Sequence, residues 1–251
     1  YTTTVTWSGS PSVFAANTSY TATVNIVPNS ASTLTGVAAN FFTINGVAPT
    51  SPNLVNAGSF QYTFPATAKS TITTRNVAVT APVLGATPQA SVIDNGQYSA
   101  TITWSDSPTT FAANTIYTAT VTVAPNTNWT LTGVTANFFT LNGVAPTSPN
   151  LANAGVFEYV FSATAKTTIT TRNVVVTAPV LGATPQASVI DNGQYSAAVT
   201  WSGSPSIFGP NTAYTATVTV SANSNWTLTG VTANFFTING VAPTSPNAVN
   251  A

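Results

Sequence analysis

The chain has no cysteine, no histidine and no methionine, and charged residues make up only 3% of its 251 positions. Without Cys there are no disulfides and no thiolate metal sites. Without His or Cys, neither a nucleophilic triad nor a transition-metal site has its usual side chains. Four basic residues (Lys69, Arg75, Lys166, Arg172) stand against four acidic ones (Asp94, Asp106, Glu158, Asp191), net zero. Four cations spread over the chain cannot neutralise a run of phosphates, which argues against nucleic acid as a partner. The same poverty of cations argues against anionic lipid heads. No stretch approaches the roughly 18 consecutive apolar residues of a spanning helix, because Thr, Ser and Asn interrupt every run, so membrane insertion is not expected. With 43% hydrophobic and 10% aromatic residues, the chain has enough apolar material to build packed cores.

What the chain does have is repetition. Trp7, Trp104 and Trp201 lie 97 residues apart in matching contexts, VTWSGSPS, ITWSDSPT and VTWSGSPS. Tyr1, Tyr98 and Tyr195 keep that spacing, as do the GVAPTSPN segments from Gly46, Gly143 and Gly240. Ala81–Gln97 and Ala178–Gln194 are identical. A repeat this regular makes the copy the unit of structure and points to stacking or spacing rather than to one unique pocket. Tyr1 matches Tyr98 and Ala251 matches Ala154, so the expectation is a window on a longer protein.

The middle copy shows what a unit is made of. Tyr98, Ala100, Ile102 and Trp104 alternate with Ser99, Thr101 and Thr103, the period of a half-buried strand. Tyr117–Val123 does the same with Thr on its wet face, where a β-branched hydroxyl suits the pleat. Phe157, Tyr159 and Phe161 mark another strand, and Thr167–Val176 reads as a long one. Asn142-Gly143 is a hairpin dipeptide. Val134–Phe139 does not alternate, and a short helical turn is expected there, with Phe138 and Phe139 filling the core. Six or seven strands in a unit near 100 residues predict an all-β fold of tandem immunoglobulin-like β-sandwich repeats of period 97. Alternation lapses at Ala81–Pro88 and Ala178–Pro185, two proline-containing segments expected to be stiff joints. The expected division is 1–80 (its N-terminal strand missing), 81–177 (complete) and 178–251 (its C-terminal strands missing).

The run APVLGATP, followed by QYSATITWS, FAANTIYTATVTV, WTLTGVTANFF and FSATA, resembles immunoglobulin-like tandem repeats of large bacterial cell-surface and S-layer-associated proteins. The resemblance covers essentially the whole chain. It implies an extracellular prokaryotic surface protein acting as an adhesin stalk or filament shaft, and it carries no catalytic residues to transfer. The chain departs from that pattern in lacking the usual scatter of Lys, Asp and Glu.

Candidate chemistry is sparse. No catalytic constellation and no cofactor site is expected, since one Lys, one Arg and one Asp recur per copy and acid–base work needs more. Lys69 and Lys166 have the residue type for an isopeptide staple to an Asn such as Asn76, helped by Asp94, although a solvated Lys before a strand is ordinary. Asp94 and Asp191, each in Asp-Asn-Gly, offer a lone carboxylate to calcium, which takes six to eight oxygens. Asp-Asn-Gly is foremost a turn. Trp129 and Trp226 have Ser32 at the corresponding place in the first copy. Loss of a core Trp costs about 3–5 kcal/mol, so this position is expected at a contact with a neighbouring unit or exposed for stacking on sugar. The functional expectation is a non-catalytic structural repeat forming a stiff stalk or filament shaft. Its partners are neighbouring repeats or copies of itself, with open sheet edges inviting strand donation. The alternative is a multivalent glycan-binding array.

Overall fold

The computed structural model describes all 251 residues and contains strands and turns but no helix. No helix is therefore long and apolar enough to cross a membrane. The first copy supplies β1 (Thr2–Trp7), β2 (Thr21–Val27) and β3 (Ser59–Thr63). Two short strands follow, β4 (Ser70–Thr71) and β5 (Asn76–Val77). The middle copy gives β6 (Ser91–Val92), β7 (Tyr98–Trp104), β8 (Thr118–Pro125), β9 (Trp129–Thr130), β10 (Thr140–Leu141) and β11 (Val156–Val160). Then come β12 (Thr167–Thr168), β13 (Asn173–Val174), β14 (Ser188–Val189), β15 (Tyr195–Trp201), β16 (Ala216–Ala222), β17 (Trp226–Thr227) and β18 (Thr237–Ile238).

The larger sheets have the orders β1-β2-β3, β11-β8-β7-β6 and β14-β15-β16; the remaining strands form two-stranded parallel pairs. Contacts divide the chain into two compact units: 1–79 with 90–102 and 121–158, and 80–89 with 103–120 and 159–251.

In the first unit β1 pairs antiparallel with β2, and β2 with β3. β4 and β5 leave that sheet and pair in parallel with β9 and β10. The apolar side chains of this segment, Ile72, Val77 and Val79, are buried, as are Tyr98, Val121, Phe139, Leu141 and Phe157. In the second unit, Ile169, Val174 and Val176 form one core cluster with Tyr195, Ala197, Val199, Val231 and Phe236. Trp104 stands edge-on to Phe111 (centroids 5.0 Å apart), and its Nε1 donates to the Gln89 carbonyl at 2.8 Å.

Pairing crosses the expected boundaries of 1–80, 81–177 and 178–251. Residues 69–80 and 166–177, taken as the ends of copies, pair with the residues that follow them. The expected joints are bonded in place instead: Gly85 N donates to Phe111 O and Phe111 N to Ala86 O, and Gly182 and Phe208 do the same. Alternation lapses there because the backbone bonds to a loop rather than to a ladder. In place of the long strand expected at 167–176 there are two two-residue strands, β12 and β13, with Ile169 buried between them.

Turn chemistry explains most of the irregular backbone. Asn142 (φ 50°) and Gly143 (φ 82°) take the left-handed region that a type I′ hairpin turn requires. Eleven further Asn residues, Asn17, Asn40 and Asn137 among them, also have positive φ, which short amides tolerate better than other side chains. Val134–Phe139 contains a single turn at Ala136–Asn137 instead of the expected helical turn. Phe139 is fully buried, but Phe138 is only half-buried. The organiser of this region is Asn150, 1% exposed, whose Oδ1 accepts from Phe138 N (2.9 Å) and Phe139 N (3.1 Å). Its Nδ2 donates to the carbonyls of Thr135 (3.0 Å) and Leu151 (2.9 Å). Asn53 occupies the same place in the first copy, with Nδ2 on Ala38 O and Leu54 O.

Replacing Asn150 by Ala leaves the buried Phe139 N–H without a partner, a loss costing about 1–3 kcal/mol. Urea unfolding followed by Trp fluorescence is expected to show a loss of at least about 1 kcal/mol, whereas the exposed Thr122→Ser changes stability by less than about 0.5 kcal/mol.

Candidate functional site

The chemically richest place in each copy is the passage from one copy to the next. It begins where the chain leaves the first sheet. Phe64 N donates to Tyr20 O, Thr67 N to Thr18 O, and Asn17 N to Ala68 O. The Thr67 hydroxyl donates to Ala15 O. On the other side, Ser70 N donates to Asn128 O at 2.9 Å and opens the parallel pairing of β4 with β9. Lys69 alone lies between the two bonded stretches. A side-chain bond spans the passage as well, from Asn17 Nδ2 to Thr127 O at 3.2 Å. The same arrangement surrounds Lys166: Asn114 N to Ala165 O, Thr167 N to Asn225 O, and Asn114 Nδ2 to Ser224 O at 3.0 Å.

Beyond the passage, Ser70–Val79 is held by amides and one guanidinium. Gln97 Oε1 accepts from Thr73 N (2.8 Å) and Thr74 N (2.9 Å). Asn76 Oδ1 accepts from Gly143 N (2.6 Å), and Asn142 brackets Val79 by accepting from its N–H and donating to its carbonyl. Arg75 Nε donates to Phe138 O at 2.9 Å, and its guanidinium carbon lies 5.4 Å from the Phe138 ring centroid. Arg172 repeats both contacts with Phe235. The sequence reading missed these clamps. The available signal was that Arg75 and Arg172 recur in a chain almost without charge.

The sequence-derived candidates fall as follows. Lys69 and Lys166 are exposed, and the Asn76 side-chain carbonyl oxygen is already held by Gly143 and Thr140. The structure therefore does not bring together the buried Lys and Asn that an isopeptide bond requires. Asp94 and Asp191 lie on the surface with no group of three or more acidic or other metal-ligating side chains around them. Asp94 Oδ1 accepts from Asn126 Nδ2 (2.8 Å) and Gly96 N (2.7 Å); these bonds, Asn126 first, hold the carboxyl below its ordinary pKa. Asp191 is lowered in the same way by Asn223 and then Gly193. Burial pushes the Tyr98 phenol up, and its hydroxyl donates to Asn76 O.

Trp129 and Trp226 are half-buried. Trp129 lies in β9 opposite Ser70, and Trp226 packs on the core cluster of the second unit. Both thus stand at the contact with the segment arriving from the preceding copy. Trp129 also lines a shallow depression of about 560 Å³ with Asp94, Gly96, Asn126, Thr127 and Asn128. In the second unit, β16 is the edge of its sheet, at the position where β8 carries β11. A groove of about 290 Å³ runs beside it, lined by residues such as Val218, Phe236 and Pro243.

No protein-family model matches the chain, and neither curated proteins nor solved structures give a match.

The two depressed carboxyl groups set a pH dependence. A folded-state pKa below the unfolded value adds stability that is present above the unfolded pKa, about 3.9, and is lost as pH falls through the folded one. The thermal midpoint is therefore expected to fall as the pH drops below about 4. Asp94→Asn with Asp191→Asn, which cannot titrate, is expected to flatten part of that fall, measured by circular dichroism melts across the range.

Proposed function

We propose that the chain is a structural repeat region of an extracellular prokaryotic surface protein, forming a stiff stalk or filament shaft without catalysis. In this reading the repeats of period 97 are immunoglobulin-like sandwiches of the kind found in bacterial cell-surface and S-layer-associated proteins. The partners are the neighbouring repeats, or further copies of the chain.

One observation carries the reading. At each passage a single residue, Lys69 or Lys166, separates backbone bonded to the preceding copy from backbone bonded to the next. A linker of one residue leaves two soft dihedrals where a flexible tether would have many. The Asn17 and Asn114 side chains span even that gap. Such joints restrict bending between copies and transmit a pull through hydrogen-bonded backbone. The surface fits the same role: hydroxyl and amide groups hydrate it with little charge, so its behaviour depends weakly on salt. The lack of His and Cys and the isolation of the carboxylates support the non-catalytic part of the reading.

Because the chain has no Cys, spin labels can be placed without background. Thr3→Cys and Thr122→Cys, both exposed, put one label in each of two successive copies. The expected result is one narrow distance distribution by pulsed electron resonance, broadened severalfold by a six-residue Gly/Ser insertion after Lys69. A distribution already broad in the uninserted chain overturns the stiff-shaft reading.

A further inference from the structure

The indole N–H groups of the chain's Trp residues differ: those of Trp104 and Trp201 are bonded, and those of Trp7, Trp129 and Trp226 are not. Trp104 Nε1 donates to Gln89 O and Trp201 Nε1 to Gln186 O, both at 2.8 Å. Trp129 and Trp226 make no such bond, although both rings are half-buried. No buried side-chain nitrogen or oxygen lacks a partner, so these two N–H groups reach solvent. Around Trp129 lie other polar groups with capacity to spare. Asp94 Oδ1 is taken by Asn126 and Gly96, while Oδ2 is open. The Thr127 hydroxyl and Asn128 Nδ2 also lie open on the rim, the latter because Asn17 engages only Asn128 Oδ1. The depression thus presents an aromatic wall, open donors and an open carboxylate acceptor, held in place by bonds that belong to the fold.

The chemistry of this set selects a ligand class. An anion meets the Asp94 carboxylate and no cation. A calcium ion finds one carboxylate where it takes six to eight oxygens. An apolar molecule finds a polar floor. A sugar hydroxyl both donates and accepts, and the C–H face of a pyranose ring is apolar enough to lie on an indole.

We infer that the depression beside Trp129 binds a neutral carbohydrate, as do the corresponding residues Asp191, Asn223 and Trp226, where Asn223 Nδ2 donates to both Asp191 oxygens and each keeps a second lone pair. The first copy carries Ser32, exposed, in place of the Trp, and does not bind. Each site is shallow and weak alone. Two on one chain, and more along an array, gain by effective concentration when the glycan is itself multivalent. This inference is independent of the shaft reading, since a stiff joint needs no ligand and a ligand site needs no stiff joint.

The test is a titration of the ¹⁵N-labelled 251-residue chain with cellotetraose, chitotetraose and mannotetraose up to about 10 mM. A sulfated tetrasaccharide serves as the anionic arm. Trp129→Phe and Trp226→Phe assign the two relevant resonances among the five indole N–H signals. Expected is a saturable shift of those two with at least one neutral sugar, weakened at least tenfold by Asp94→Ala with Asp191→Ala. Both aspartates are on the surface, so this variant reports even where a Trp substitution fails to fold. The inference is overturned if neither resonance shifts with any neutral sugar, if Trp7, Trp104 or Trp201 shifts instead, if the Asp pair leaves binding unchanged, or if the sulfated sugar binds more tightly.

Discussion

The arrangement depends on one contact above others: Ser70–Val79 lying against the residues that follow it in the chain. Ile72, Val77 and Val79 close the apolar core around Tyr98 and Phe139, each buried side chain contributing about 1.5–3 kcal/mol. The backbone of the same segment is bonded by β9, β10, Gln97, Asn76 and Asn142 rather than by one continuous ladder. Tyr98 and Tyr195, beneath such segments, are 1% exposed.

That contact also ties each copy to its predecessor. Because the segment that finishes a core begins one residue after the previous copy's last bonded residue, folding a core and fixing a joint are the same event. Side-chain amides make this possible in a chain nearly without charge. An Asn donates and accepts at once, so it can satisfy both groups of a backbone residue, as Asn142 does at Val79 and Asn150 does across its loop. Charged groups would carry a desolvation cost in the same places.

Much of the fold was legible in the sequence. The alternation at Tyr98–Trp104 and Thr118–Val123 gave strands, and Asn142-Gly143 gave a turn, because these signals are local. The placement of Ser70–Val79 was not legible. Two two-residue strands with a buried Ile between them have too little periodicity to declare a partner, and nothing local separates the end of one copy from the start of the next. The prolines at 82 and 179 looked like joint residues, yet they sit beside backbone bonded to Phe111 and Phe208. The contrast between Ser32 and Trp129 singled out a position that lies in β9, opposite Ser70. It could not show that the contact is with a strand some sixty residues earlier, nor that the indole N–H stays open.

The sequence by itself determined the all-β character, the turn at Asn142-Gly143, the spacing of the repeated residues and the scarcity of titratable groups, because composition, alternation and repetition are properties of residues and their neighbours. Only the tertiary structure decided where one packed core begins. It also decided which Trp is bonded and which is open, and how short the free passage at Lys69 and Lys166 is. Those depend on which distant backbone groups meet, and in a repeated chain every copy offers the same candidates.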